Sequence, residues 1–292
     1  MRKLLLILFC SLNLLAFSQD TANLNSPYHA INTHLHYLKS TYYNDSLAAT
    51  AFNLNARPLD EAIRVAVKLK QIIDGEGVYI DMEDIPKQPN YYDSTINKHR
   101  YVLTEQYPTI YLEKQGESWY YSEKSIREIR RIHASIFRYG TGRLLNLLPK
   151  LGTQEILGLH LYQYLGVLIL ALLGVLIHKL LSVFFNWLFV KIILRAGYSD
   201  LANGYLLPVA RPVSLFFVFA MIVMFVPALQ LPSEISWILM TFLRVLVPIF
   251  GTIVFYQLVN ILALYLKHLA EKTKSTLDDQ LVPLVRKTLK TF

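Results

Sequence analysis

One cysteine occurs in 292 residues, and that residue, Cys10, lies inside the apolar opening of the chain without the small residues a lipobox would place before it. Once that opening is removed no cysteine remains, so neither disulfides nor a cysteine metal site can hold the rest together. Acidic residues are also scarce: 21 Asp and Glu stand against 29 Lys and Arg, a formal net charge of +8. In a soluble protein such a surplus would point to nucleic acid. Residues 19 to 150, however, carry 16 Lys and Arg against 15 Asp and Glu. The surplus therefore belongs to the start of the chain and to short segments beside apolar runs, where the positive-inside rule expects it, and no nucleic-acid partner is expected. A Gly-rich phosphate loop, a nucleophile elbow and a paired zinc-ligand motif are all missing. An enzyme is not the expectation, and no catalytic, cofactor-binding or metal residues are nominated.

Hydrophobic residues make up 53% of the chain, above the roughly 45–50% of soluble proteins, and they concentrate at its two ends. Met1, Arg2 and Lys3, then the apolar run Leu4 to Leu15, then Ala16, Phe17 and Ser18 have the order of a secretory signal peptide. Cleavage is expected after Ser18. An uncleaved anchor is the alternative, but this run is short against the ~20 residues that cross a bilayer.

Residues 19–152 read as a small α+β periplasmic domain. Ile31, Leu35 and Leu38 recur at helical spacing, and Leu47, Ala48 and Phe52 begin a second short helix. Leu59, Ala62, Ile63, Ala66, Leu69, Ile72 and Ile73 line one face of a longer helix, opened by Pro58 and closed by Gly75. The period then falls to two, predicting strands at Val78–Met82, Arg100–Thr104, Thr109–Glu113 and Ser118–Tyr121. Ser122 caps a helix carrying Ile126, Ile129, Ile132, Ile136 and Phe137, which stops at 140–142. His29, His34 and His36 cluster, but 34 and 36 fall on different sides of a helix, so a structural role is expected over metal binding. The tyrosines read as core and rim, with a glycan-binding surface as the alternative.

Three stretches of 22 residues contain no Asp, Glu, Lys or Arg: Ile156–Ile177, Pro212–Ser233 and Val245–Leu266. Each is long enough to span ~30 Å of hydrocarbon at ~1.5 Å per residue. The expected architecture is thus the α+β domain followed by an all-α membrane region, 153–271, with helices at about 156–181, 206–230 and 236–268. Lys179, Lys191, Arg195 and Arg211 flank the first connection, and the second has only Glu234. That asymmetry and the signal peptide give the same topology, so the N-terminal domain is expected in the periplasm of a bacterium and the protein in its inner membrane. Leu180–Leu194 extends the first helix, either as a longer tilted helix or as a segment in the interface. Arg244 is the one charge in an otherwise apolar stretch. Snorkelling to headgroups is its expected role, with a lipid phosphate or an inter-helix pair as the alternative. Arg244 and Arg211 are the candidate lipid-contact residues.

Residues 272–292 form a charged turn and the opening of another helix. Lys272, Lys274, Thr276, Leu277, Asp278 and Asp279 are followed by an apolar helix start that contains Arg286. This segment, directly after a membrane helix, resembles the loop before the pore helix in the small-conductance mechanosensitive ion channel family. The signal peptide, exported domain and extra helices are similar to its longer Bacteroidetes members. The resemblance covers some 16 residues plus the topology. It implies a homo-oligomer, a heptamer, in which these helices form lipid-facing paddles around a pore opened by tension, with membrane lipids as partners and no cofactor. It also makes Lys272, Lys274, Asp278 and Asp279 a coupling turn. The family's Gly/Ala-patterned pore helix and cytoplasmic vestibule are not in the chain. Leu289 to Phe292 reads as mid-helix, so the native protein is expected to continue past Phe292. The competing expectation is a membrane-anchored periplasmic ligand-binding or signalling module, or an accessory subunit of a larger membrane complex.

Overall fold

A computed structural model describes residues 21–138, 141, 154–196, 207–272 and 287–288, excepting the side chains of 192–196, 207–208 and 264–272. The signal peptide, the helix stop at 140 and 142, Lys274, Asp278, Asp279 and the helix start after them lie outside the described residues. The chain divides into two compact units, residues 1–70 with 80–130, and residues 71–79 with 131–292.

The first unit is α+β. Helix α1 (Pro27–His36) is capped by Ser26, whose hydroxyl accepts the His29 amide at 3.2 Å. The short α2 (Asp45–Ala49) is capped by Asn44 and continues into a 3₁₀ turn ending at Phe52. In α3 (Leu59–Glu76) the buried face is Ala62, Val65, Ala66, Leu69, Ile72 and Ile73. Leu59 stays exposed and Ile63 is only half-buried, while Val65 is buried, because at 100° per residue Leu59 and Ile63 share one flank of the stripe and Val65 lies across it on the other.

A meander follows, β1 (Arg100–Val102), β2 (Tyr111–Gln115) and β3 (Ser118–Tyr121), antiparallel throughout. Gly116, at φ +63°, allows the tight β2–β3 turn that pairs Gln115 with Ser118. Helix α4 (Glu123–Ile136) is capped by Ser122, and its Ser125 hydroxyl both accepts from the Tyr111 amide and donates to the Tyr111 carbonyl, each at 2.8 Å. That pair of bonds fixes the helix to the start of β2. The strand expected at Val78–Met82 does not form. Gly77 ends α3 in the left-handed region, the Val78 amide bonds back to the Ile73 carbonyl at 2.9 Å, and Asp81 accepts from the Glu83 amide. Helix-end and turn bonds thus use the groups a ladder would need. The helix stop is Gly77, not Gly75.

In the second unit, β4 (Glu155–Ile156) and β5 (Leu159–His160) make a two-residue hairpin through Leu157 and Gly158, both at positive φ. Helix α5 (Leu161–Ala196) starts there and not at 156. Its first turn is closed by Gln163, whose side-chain oxygen accepts the His160 amide at 2.8 Å, a capping-box bond. Helix α5 is unbroken, so Leu180–Leu194 continues it. Helix α6 (Leu207–Phe225) runs into a 3₁₀ turn (Val226–Leu229), and α7 (Ser233–Lys272) completes the chain's described helices apart from 287–288. All three are long and apolar enough to cross a membrane, and the protein is membrane-embedded.

Helix α6 is the most covered of the three and packs against both others. Gly174 of α5 packs against Ile222 and Val218, and Gly251 of α7 against Phe216, with room at both for a methyl in ordinary contact. Val226, Met240 and Leu243 form a buried cluster with Leu170, Phe219, Ile222 and Val223 around it. The outer faces of α5 and α7 remain bare: Val175, Leu180, Val183, Ile238 and Phe242 are each more than half exposed.

Candidate functional site: the seat of α3 on the membrane helices

The division between the two units falls inside α3, so its last turns, residues 71–76, belong with the membrane helices. Small residues make their close approach possible. A methyl group on Gly77 would sit 2.5 Å from the Trp237 amide nitrogen, and the φ of +64° there also favours glycine. A methyl on Gly75 would come within 3.0 Å of Pro227, and one on Gly166 would run into the Leu229 side chain. Tyr79 lies against the Trp237 ring, with centroids 6.4 Å apart.

Polar side chains then stitch the segments together. Gln230 sits in the left-handed region after the 3₁₀ turn, and its side-chain amide donates to the Gln71 carbonyl at 3.2 Å and the Pro227 carbonyl at 2.7 Å. Gln163 of α5, almost fully buried, donates to the Gln230 carbonyl. Gln71 is held from its other end by His133 of α4, 2.8 Å from its side-chain oxygen. One chain of bonds thus joins α4, α3, the α6–α7 turn and α5. In a water-poor setting each of these amides would carry a desolvation cost if left alone, so the network favours a single arrangement.

Arg244 closes the seat. Its Nη2 donates to Glu76 Oε2, with the arginine side chain 43% and the glutamate 17% exposed. The guanidinium also faces the negative end of α3, where a cation is favoured. Arg244 lies eleven residues into α7, about 16 Å along its axis. Its long side chain therefore reaches to its partner, and the arginine is held by an inter-helix pair.

Arg211 is elsewhere, exposed on the first turns of α6. Lys272 is the last residue of α7. The structure does not bring Arg211 to the seat. Glu76, Gln71, Gln163 and Gln230 were not among the nominated residues. The sequence did hold a signal for two of them, since Gln163 and Gln230 are isolated amides inside charge-free apolar stretches.

The first unit holds a second polar feature. His34 is fully buried; its Nε2 donates to the Ala66 carbonyl at 2.9 Å, which leaves Nδ1 to accept from the Tyr121 hydroxyl at 3.3 Å. Burial lowers its pKa to about 4 and pushes the Tyr121 hydroxyl far above its usual value. Phe52 and Tyr121 pack edge-on to the ring. Among the described residues no group of three or more His, Cys, Asp or Glu is placed to hold a metal ion. Comparison with protein-family models, curated proteins and solved structures finds no match.

Proposed function

We propose that the chain is the sensor and lipid-facing portion of a tension-gated ion channel subunit in a bacterial inner membrane, with its N-terminal domain in the periplasm and several copies around a common pore. The observation that carries this reading is the length and exposure of α5 and α7. At 36 and 40 residues they run about 54 and 60 Å, well beyond ~30 Å of hydrocarbon, with bare apolar faces. Helices longer than the bilayer accommodate it by tilting, at a cost of fractions of a kcal/mol per Å of mismatch. Thinning under tension changes that cost, and the change summed over several subunits biases a closed–open equilibrium. Release of small solutes on osmotic downshock is the corresponding role. The seat would then tie the tilt of α7 to the last turns of α3.

The same seat also favours a second reading, a membrane-anchored periplasmic binding or signalling module, because a ligand-driven shift of α3 would reach α6 and α7 by the same bonds. Patch-clamp recording of the full-length gene product in liposomes under graded suction separates the two. Currents that rise with suction support the channel, and a product silent up to membrane rupture leaves the signalling module.

A further inference from the structure

At the end of α5 and α6 remote from the α3 seat, the Ser214 hydroxyl bridges two groups. It donates to the Arg211 carbonyl at 2.8 Å and accepts from His178 Nδ1 at 2.8 Å. Ser214 is fully buried, so this contact fixes the register of the two helices. It also sets two exposed cationic residues at one level of the helix pair: Lys179 follows His178 in the chain, and Arg211 is the residue whose carbonyl is bridged. Both side chains are exposed, and neither pairs with a carboxylate among the described residues. From Leu161 to Pro232 the sequence contains a single acidic residue, Asp200.

Depth makes the placement informative. Lys179 lies 18 residues along α5 from Leu161, about 27 Å, which is close to one hydrocarbon thickness. If the helix enters at its N-terminal hairpin, a tilt of about 20° leaves Lys179 about 5 Å short of the opposite headgroup layer, a distance its side chain and that of Arg211 span by snorkelling. Immediately toward the membrane are Val175 and Leu176, and next to Lys179 is Leu180, exposed by 68%, 52% and 60%. Two cations with no carboxylate partner among the described residues, beside a bare apolar helix face, match the two halves of an anionic phospholipid, a charged phosphate and its acyl chains.

We propose that Lys179 and Arg211, registered by the His178–Ser214 contact, form a headgroup site for an anionic phospholipid whose acyl chains lie along the exposed face of α5. The occupant is a lipid and not a free anion because the cations adjoin that apolar face. Lys191 is not part of the site; its ammonium sits over the Trp187 ring at 4.6 Å.

The test is native mass spectrometry of the detergent-solubilised full chain, equilibrated with equal amounts of phosphatidylglycerol and phosphatidylcholine of the same acyl composition. Each cation near an anionic headgroup is worth about a fivefold preference. The unaltered protein should therefore retain phosphatidylglycerol about five- to twentyfold over phosphatidylcholine. The Lys179→Gln/Arg211→Gln pair should fall to near-equal retention, while Lys191→Gln and the charge-conserving Lys179→Arg/Arg211→Lys pair keep the preference. The conservative pair guards against a mere folding defect. A neutral pair that still prefers phosphatidylglycerol overturns the site, and displacement of the lipid by millimolar inorganic phosphate overturns its assignment to a lipid.

Discussion

His34 illustrates how a residue type with many uses is given one by its surroundings. With the Ala66 carbonyl on Nε2 and the Tyr121 hydroxyl on Nδ1, its neutral form is fully bonded, and full burial disfavours the charged form. Its pKa of about 4 lies below the ordinary 6.5, so the folded state binds the proton less well than the unfolded chain. The His34 contribution is therefore complete above pH 6.5 and declines as pH falls toward 4, by at most about 1.4 kcal/mol per pH unit. Chemical denaturation of the full chain at pH 7.5 and pH 5 should show this loss, and in His34→Gln the part due to residue 34 should vanish. At the same scale, Glu76 and Arg244 should couple. A double-mutant cycle of Glu76→Gln and Arg244→Gln, read by thermal unfolding in detergent, should give about 1 kcal/mol, because the pair is only partly sheltered from water.

Among the elements, the end of α3 is where backbone geometry is most demanding. Gly77 and Gly116 share nearly the same dihedral, +64° and +63°, yet a methyl on Gly116 meets open space and one on Gly77 meets the α7 backbone. Gly116→Ala should cost about 1 kcal/mol, the conformational cost alone. Gly77→Ala should cost clearly more and should loosen the seat, seen as faster amide exchange at residues 71–79 and 226–237. Equal effects would mean that the approach of α3 to Trp237 is not a real constraint. The sequence pattern placed the helix stop at Gly75, the first glycine after the apolar face; that Gly77 takes the left-handed position goes with its approach to Trp237, far along the chain. The predicted strand at 78–82 failed for a related reason. Its alternation is real, with Val78 buried and Tyr79 exposed, but its hydrogen-bonding groups are used by the helix end.

For the whole molecule, the proposed topology makes a direct prediction about sides. In intact cells of a strain carrying the chain, cysteine placed at exposed Tyr92 should react with a membrane-impermeant thiol reagent, while cysteine at Lys191 should react only after lysis. Labelling of both from outside, or of Lys191 alone, would reverse the orientation and remove the periplasmic reading. The α+β domain and the three apolar helices were legible in the sequence because each rests on local information: a period of 3.6, a period of 2, or a charge-free length that can be counted. Arg244 was legible as an exception to such a length. Its partner was not, since Glu76 is 168 residues away and nothing in the local pattern distinguishes it from a solvated helix-end carboxylate.

By itself the sequence determined the class of most segments, 78–82 and 156–160 excepted, because helix, strand and membrane span follow from the spacing and sum of side-chain hydrophobicity over neighbouring residues. The tertiary structure alone decided which polar groups meet: Gln71 with Gln230, Glu76 with Arg244, His178 with Ser214. Those pairings depend on helix register and on close approaches at glycine, which are set by the packing of segments far apart in the chain.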